Sequence, residues 1–581
     1  MPGSSLSALA PLGGGGVSNF RPTNLFQATE TFNHVRGSHS LKFGFDLERI
    51  QVNSNGTPFP QQNGVYSFPS LTRFLQGQPS QLALPIIGGD SNPSRGWRQI
   101  LFGWFVEDSL RLRSNLTLSL GLRHEFVTAP IEVNGRMASL QELTDATSKL
   151  GPPYPTSKNN FGPRVGLAWD PTGSGKTSIR AGTGMFYNLP VMGRLWDTAA
   201  IDYRFATTYT VNNPPNFPHA LLSGYTPTLQ STRGFQPDMK TPTSLHWNLE
   251  VQRQLFPTVT VQVGYVGSHS YHLEQAPQAN RFVGAQMLPD GRKFFPTGLP
   301  RVNPNFSTIQ WLTTPGWSHY DGLQLGFQKR LSRGLHVQAA YTWSKNLSSV
   351  DAQYGNEVQG QVVGPMDLED LPRDYSLSLF HQAHVFSING KYQMPWDHLL
   401  QSGVAKAALG GWEINSIWRA TSGLAHIIAA GFDVARNGDP LAAQRPDLRP
   451  GFSNNPTKGV TAGCPGVAAG QKLGTPDLFF DPCAFSLPEA GTYGNLGRNT
   501  LIGPGLFNVS LGLVKDTPLP WREGMNLEFR AEAFNLLNHA NFRQPAASLF
   551  LSSGGRNTNA GQITGTGTAN RQIQFGLKLT F

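Results

Sequence analysis

The sequence predicts an all-β protein, an antiparallel transmembrane β-barrel with about 15 strands in this chain. Three observations point there. Apolar residues recur at every second position in many segments. Those segments come in pairs joined mostly by short turns. The pairs are separated by long connections, near 52–96, 128–159, 189–243, 274–317, 347–381, 425–505 and 536–570. A water-soluble sandwich has no reason to lengthen every second connection, whereas a membrane barrel has short periplasmic turns and long extracellular loops.

The pairs follow in order. Segments near 22–34 and 40–51 form the first. In the second, Ile100, Phe102, Trp104, Val106, Leu110 and Leu112 share a face; Leu116, Leu118, Leu120 and Leu122 follow the turn Arg113-Ser114-Asn115. Their neighbours Thr117, Ser119, Gly121, Arg123 and Glu125 are polar or small. In the third, Phe161, Val165, Leu167 and Trp169 alternate with Gly162, Arg164 and Gly166. Thr177, Ile179, Ala181, Met185 and Tyr187 then alternate with Ser178, Arg180, Gly182 and Gly184. Between them lies "DPTGSGKTS" (170–178), whose Gly-Lys-Thr resembles a phosphate-binding loop. That loop needs a glycine where Asp170 stands and a helix where period-two alternation follows, so the stretch is a hairpin turn. Further pairs are 244–255 with 258–273, Leu323–Phe327 with Leu335–Trp343, 382–394 with 411–424, and 506–515 with 525–535. A last strand carries Ile573, Phe575, Leu577, Leu579 and Phe581 on one face.

Composition agrees. Charged residues are 14% of the 581, against roughly 25% in ordinary soluble domains. Glycine is abundant at 64. Mean hydropathy is −0.28, as expected where only alternate residues face lipid. No apolar run is long enough for a transmembrane helix. The net charge of +10 is scattered singly, without the dense basic run of a nucleic-acid interface. Residues 1–19 read as a flexible lead without the basic and apolar regions of a signal peptide. The barrel is assigned to 20–581. Seven hairpins and one further strand make an odd count. Barrels with both ends in the periplasm have even counts, so an odd number of strands is expected before Phe20.

At this point particular stretches resemble a known family. "RGSHSLKFGFDLER" (36–49), "NNFGPRVGLAWDP" (159–171), "DGLQLGFQKRLSRGL" (321–335) and "YTWSKNL" (341–347) are similar to the barrel of Oar-like TonB-dependent outer-membrane transporters. So is the tail: "GTYGNLGRNTLIGPGLFNVSLGLVKD" (491–516), "LEFRAEAFNLLNHANF" (527–542) and "RQIQFGLKLTF" (571–581). The resemblance implies a 22-stranded barrel in the Gram-negative outer membrane, plugged by an N-terminal domain that a TonB box couples to the inner membrane. No stretch here matches plug or box, so the chain is expected to be an incomplete barrel. The expected function is uptake of a large solute; the alternative is a surface or adhesion protein whose loops bind and whose barrel only anchors.

Candidate sites follow from facing. Arg123, Glu125, Arg164, Arg180, Glu528, Arg530 and Glu532 alternate with apolar residues and are expected in the lumen, because charge on the lipid face costs about 2–4 kcal/mol near the midplane. Phe575, Leu577, Leu579 and Phe581 resemble the C-terminal signal read by the barrel assembly machinery. Cys464 and Cys483 share one loop; in an oxidising compartment they close a disulfide, otherwise they are free thiols. His381 with His384, His269 with His272, and the acidic run Asp367, Glu369, Asp370 and Asp374 lack a metal-binding spacing. No catalytic residues, metal or cofactor are expected, and no nucleic acid. Expected partners are outer-membrane lipid, the assembly machinery, an unidentified ligand, and TonB where a plug precedes the barrel.

Overall fold

The computed structural model describes residues 22–54, 65–85, 94–152, 156–190, 204–205, 208–215, 217–218, 231–351, 364–396, 404–439 and 444–581. The flexible lead expected over 1–19 lies outside them. One sheet of 18 strands, antiparallel except for one short pairing, dominates the described residues. Fifteen of these are long and form the wall. They are β1 (Thr23–Arg36), β2 (His39–Ser54), β3 (Arg95–Arg113), β4 (Leu116–Val127), β5 (Phe161–Trp169), β6 (Thr177–Tyr187), β7 (Thr243–Phe256) and β8 (Val259–Gln275). There follow β9 (Ile309–Ser332), β10 (Leu335–Ser348), β11 (His384–Gln393), β12 (Trp412–Thr421), β13 (Leu506–Pro518), β14 (Asn526–Phe534) and β15 (Gln572–Thr580).

Each wall strand pairs with the next in sequence, from β1–β2 through to β14–β15. Among the described residues β1 and β15 each have one wall partner, so the sheet has two open edges. Register explains the alternation. Leu249, Val263 and Leu325 belong to neighbouring cross-strand positions on one face, and Gln252, Gln262 and Gly326 to the other. The apolar face is open: Leu120, Leu249, Val263 and Trp343 are 47%, 49%, 48% and 57% exposed. A contiguous apolar surface of this kind is a liability in water and the normal condition in lipid.

"DPTGSGKTS" is a hairpin turn. Asp170 accepts from the backbone N–H groups of Gly175 (2.6 Å) and Thr172 (3.1 Å), which closes the turn and occupies the carboxylate. The connection between β11 and β12, residues 394–411, has the length that the pair 382–394 with 411–424 implies, and carries the short helix Val404–Leu409. One expectation needs correction. Strand β9 begins at Ile309, within the stretch expected to be loop. Its upper half is covered on both sides, so it lacks the alternation that marks the span. There Thr232–Phe235 pairs with it in parallel from Thr232↔Ile309 to Phe235↔Leu312.

The buried apolar clusters of the described residues lie above the span. Trp97, Met137, Phe235, Ala276 and Leu312 form one; Leu140, Phe306 and Ile309 another. Ile428, Phe480, Phe485, Leu496, Leu501, Leu549 and Phe550 belong to a third, and Phe295, Met366, Ala435 and Tyr493 make a fourth. The long connections therefore pack together as a cap on one end of the wall.

Candidate functional site

The candidate site is the polar face of the wall with the cap above it. Strand alternation puts every second side chain on this face, and its charged residues pair within and across strands. Arg123 on β4 donates to Glu125 (2.7 Å) and to Asp46 of β2 (3.1 Å). Arg180 on β6 stands 3.7 Å from Glu250 on β7. Arg164 on β5 lies over the Phe186 ring at 4.5 Å. Lys391 on β11 meets Glu413 on β12 at 3.0 Å. On β14, Arg530 donates to Glu528, and Glu532 stands opposite Gly512 and Gln574.

Glycines make room for these long chains. A Cβ added at Gly103 would sit 3.1 Å from the Arg123 guanidinium, and one at Gly184 3.1 Å from Arg164 Cγ. The charged side chains thus lie along the wall instead of standing out from it. Between the two charged sectors runs a neutral one. Gln252, Thr260, Gln262, Gln324, Gln328 and Gln338 line a recess of about 310 Å³. Amides both donate and accept, so this sector can hydrogen-bond an uncharged polar chain.

The cap is held by buried ion pairs between separate loops. Arg445 donates to Asp374 at 2.5 Å, and the two side chains are 1% and 2% exposed. Arg498 reaches Asp351 at 2.5 Å, and Arg281 reaches Asp439 at 2.6 Å. Burial lowers the Arg498 pKa, an effect opposed by Asp351 and Asp374. Lys293 meets Asp367 (2.7 Å) and Glu369 (2.6 Å). Burial opposes the Lys293 charge, but the two carboxylates outweigh it and raise the pKa. The acidic run is thus answered by Lys293 and Arg445. Tyr493, pushed to about 12 chiefly by burial, accepts from Asn437 Nδ2 at 3.1 Å. A disulfide joins Cys464 to Cys483 and ties the longest connection to the third apolar cluster, which Ala484 and Phe485 enter.

The four histidines weighed as metal ligands occupy separate settings. His381 is buried and accepts from the Asn346 N–H at 3.3 Å; His384 pairs with Tyr341 at 2.8 Å on the apolar face. His269 lies beside His319, their rings 5.8 Å apart, while His272 stacks edge-on to Tyr271. Phe575, Leu577 and Phe581 are 70%, 71% and 80% exposed along the last strand. The ion pairs of the cap escaped the sequence reading because their partners lie in different loops.

A family model described as "Outer membrane beta barrel domain" matches residues 2–574. No curated protein matches the chain significantly. Among solved structures, the outer membrane transporter YddB from Escherichia coli is 11% identical, with a TM-score of 0.49, covering 96% of this chain and 54% of that one. The FrpB iron transporter from Neisseria meningitidis (F3-3 variant) is 10% identical, TM-score 0.46, with coverage of 96% and 55%. A mutant of the ferric enterobactin receptor from Pseudomonas aeruginosa is 12% identical, TM-score 0.45, with coverage of 96% and 54%. The chain spans about half the length of each.

Proposed function

The chain belongs to the outer-membrane β-barrel domain family, and on that premise we propose that it forms wall and cap of a TonB-dependent transporter of the Oar-like kind. Its place is the outer membrane of a Gram-negative cell. The observation that carries the reading is the polar face, where charges are paired along the wall and a neutral amide sector is left between them. Such a lining suits passage of a large polar solute, and a packed cap of loops suits its capture. The two open edges support the further proposal that more strands complete the wall. An unpaired strand edge in lipid leaves N–H and C=O groups without partners, at several kcal/mol each. The C-terminal strand is proposed as the contact for the assembly machinery, and TonB as partner through a plug in the whole transporter.

The test is uptake in the native organism. A deletion strain and its complemented parent are compared on labelled iron chelates, peptides and oligosaccharides, with and without a protonophore. The reading expects one class of solute to be lost on deletion and lost equally with the protonophore. Uptake unchanged by deletion, alongside lost surface adhesion, would replace it with the anchor reading. Uptake that ignores the protonophore would make the barrel a passive pore.

A further inference from the structure

We propose that the wall carries a binding site for one anionic glycerophospholipid of the periplasmic leaflet, formed by β10, β11 and β12. The site depends on the barrel's place in the membrane and not on transport.

It has two parts that meet along three neighbouring strands. The first is a groove of about 480 Å³ on the apolar face. Val337, Phe386, Ile388, Ile414 and Trp418 stand around Gly390, which has no side chain to fill the space. The wall is otherwise studded with large apolar residues, so a trough at Gly390 takes a flexible alkyl chain better than it takes a rigid neighbour. The groove presents almost no polar surface. It lies toward the turn end of the wall, since Leu335 and Tyr392 border it and the turn Arg333-Gly334 follows directly.

The second part begins where the groove ends. Gly334, Gln393 and Trp412, each next in sequence to or near a groove residue, line a cavity of about 980 Å³ at the periplasmic rim. Arg333, Lys406 and Lys515 bring three cations to it. Two carboxylates, Glu413 and Asp516, also line it. Glu413 is taken by Lys391 at 3.0 Å, and Asp516 accepts from Asn526 at 2.8 Å. The rim is left net cationic. Its geometry is fixed by the backbone. Gly334, at φ 76°, passes so close to the Gln393 carbonyl that a Cβ would come within 2.5 Å of it. Trp412 Nε1 donates to the Ala408 carbonyl at 2.9 Å, and Lys515 Nζ donates to the Gly410 carbonyl at 2.7 Å while lying 5.5 Å over the Trp412 ring. An apolar trough that runs into a cationic rim, with an aromatic at the junction, matches a lipid whose chain is buried and whose phosphate sits at the interface.

The experiment is native mass spectrometry of the full chain released from detergent micelles, with phosphatidylglycerol and phosphatidylcholine offered in equal amounts. The wild type is expected to keep one phosphatidylglycerol in preference. In R333N/K406Q each lost cation costs about fivefold, so retention falls about 25-fold. Asn suits position 333 because its φ is 50°. Both residues lie on exposed connections, and unchanged heat-modifiability on gels checks that the wall persists. A second variant, I388W, fills the groove without touching the rim and is expected to lower retention of phosphatidylglycerol as well; undiminished retention in I388W overturns the groove's part in the site. Equal retention by wild type and R333N/K406Q, or no preference for the anionic lipid, overturns the proposal. Displacement of the lipid by millimolar glycerol phosphate overturns it too, since the rim would then be a free-phosphate site without a chain.

Discussion

Replacing Arg445 with Met tests whether the cap is a built unit. The Arg445–Asp374 pair is almost wholly buried, with side chains 1% and 2% exposed. Met keeps much of the volume and removes the charge. Asp374 would keep its bond from the Met366 N–H (3.0 Å) and lose the guanidinium. Removing one partner of a buried pair costs about 3–5 kcal/mol, because the other charge stays buried without its counter-ion. That is roughly two to three and a half decades in the local opening equilibrium. Hydrogen exchange in micelles reads this directly at the Leu496 amide, which donates to Pro446 O at 3.1 Å within the same layer. Wall amides of β7 and β8 serve as internal controls and should not change. The double variant R445M/D374L removes both charges, and much of the lost protection should return. The backbone carbonyl of Asp374, which accepts from Arg498 Nε at 2.7 Å, survives that change. Unchanged exchange in R445M, or a double variant no better than the single, would refute the reasoning.

Neighbouring substitutions test the facing of the wall. Val263→Arg, set between Val251 and Leu325, should cost about 2–4 kcal/mol in urea unfolding, while Gln262→Arg, one residue away, should cost little. Burial holds His426 at about 4. The unfolded chain takes up a proton first as pH falls below about 6.5, so cap stability should decline between there and about 4, by about 3 kcal/mol in all. His426→Gln should flatten that slope in exchange measured against pH. Removing the Cys464–Cys483 bond by C464S/C483S should lower cap stability by about 3 kcal/mol, and limited proteolysis should then cut within 425–505 while the wall stays protected.

The wall was legible in the sequence because each position there has one of two environments. Leu116, Leu118, Leu120 and Leu122 stand on one face of the sheet and Arg123 and Glu125 on the other, so period two survives translation into a string of letters. The same logic placed the charged residues on one face without identifying their partners. Asp46 lies 77 residues from Arg123, and no local pattern joins them. The cap was illegible for the same reason on a larger scale. Arg498 and Asp351 are 147 residues apart, and their loops carry apolar residues without a period, because irregular backbone buries side chains in every direction. The upper half of β9 was read as loop for a related cause. Ile309 and Leu312 are fully buried there, three residues apart, and alternation is lost where both faces are covered.

The division between wall and cap bears on mechanism. The wall is held by a ladder of backbone hydrogen bonds, with its side chains alternating between an apolar and a polar face. The buried apolar clusters of the described residues lie outside it, in the loops and the upper strand ends. Two parts stabilised by different interactions need not open together. Loss of cap packing is expected to leave the ladder of β7, β8 and β9 intact, since the registers run unbroken from Gln254↔Thr260 to Thr243↔Tyr271 and from Val259↔Lys329 to Tyr271↔Trp317. The energy that resists cap opening is concentrated in a few inter-loop ion pairs, one disulfide and the apolar clusters. Disruption of those groups is expected to shift the cap without distorting the strand ladder. On the proposed reading, access to the polar face would be set by loop chemistry, with the wall unchanged.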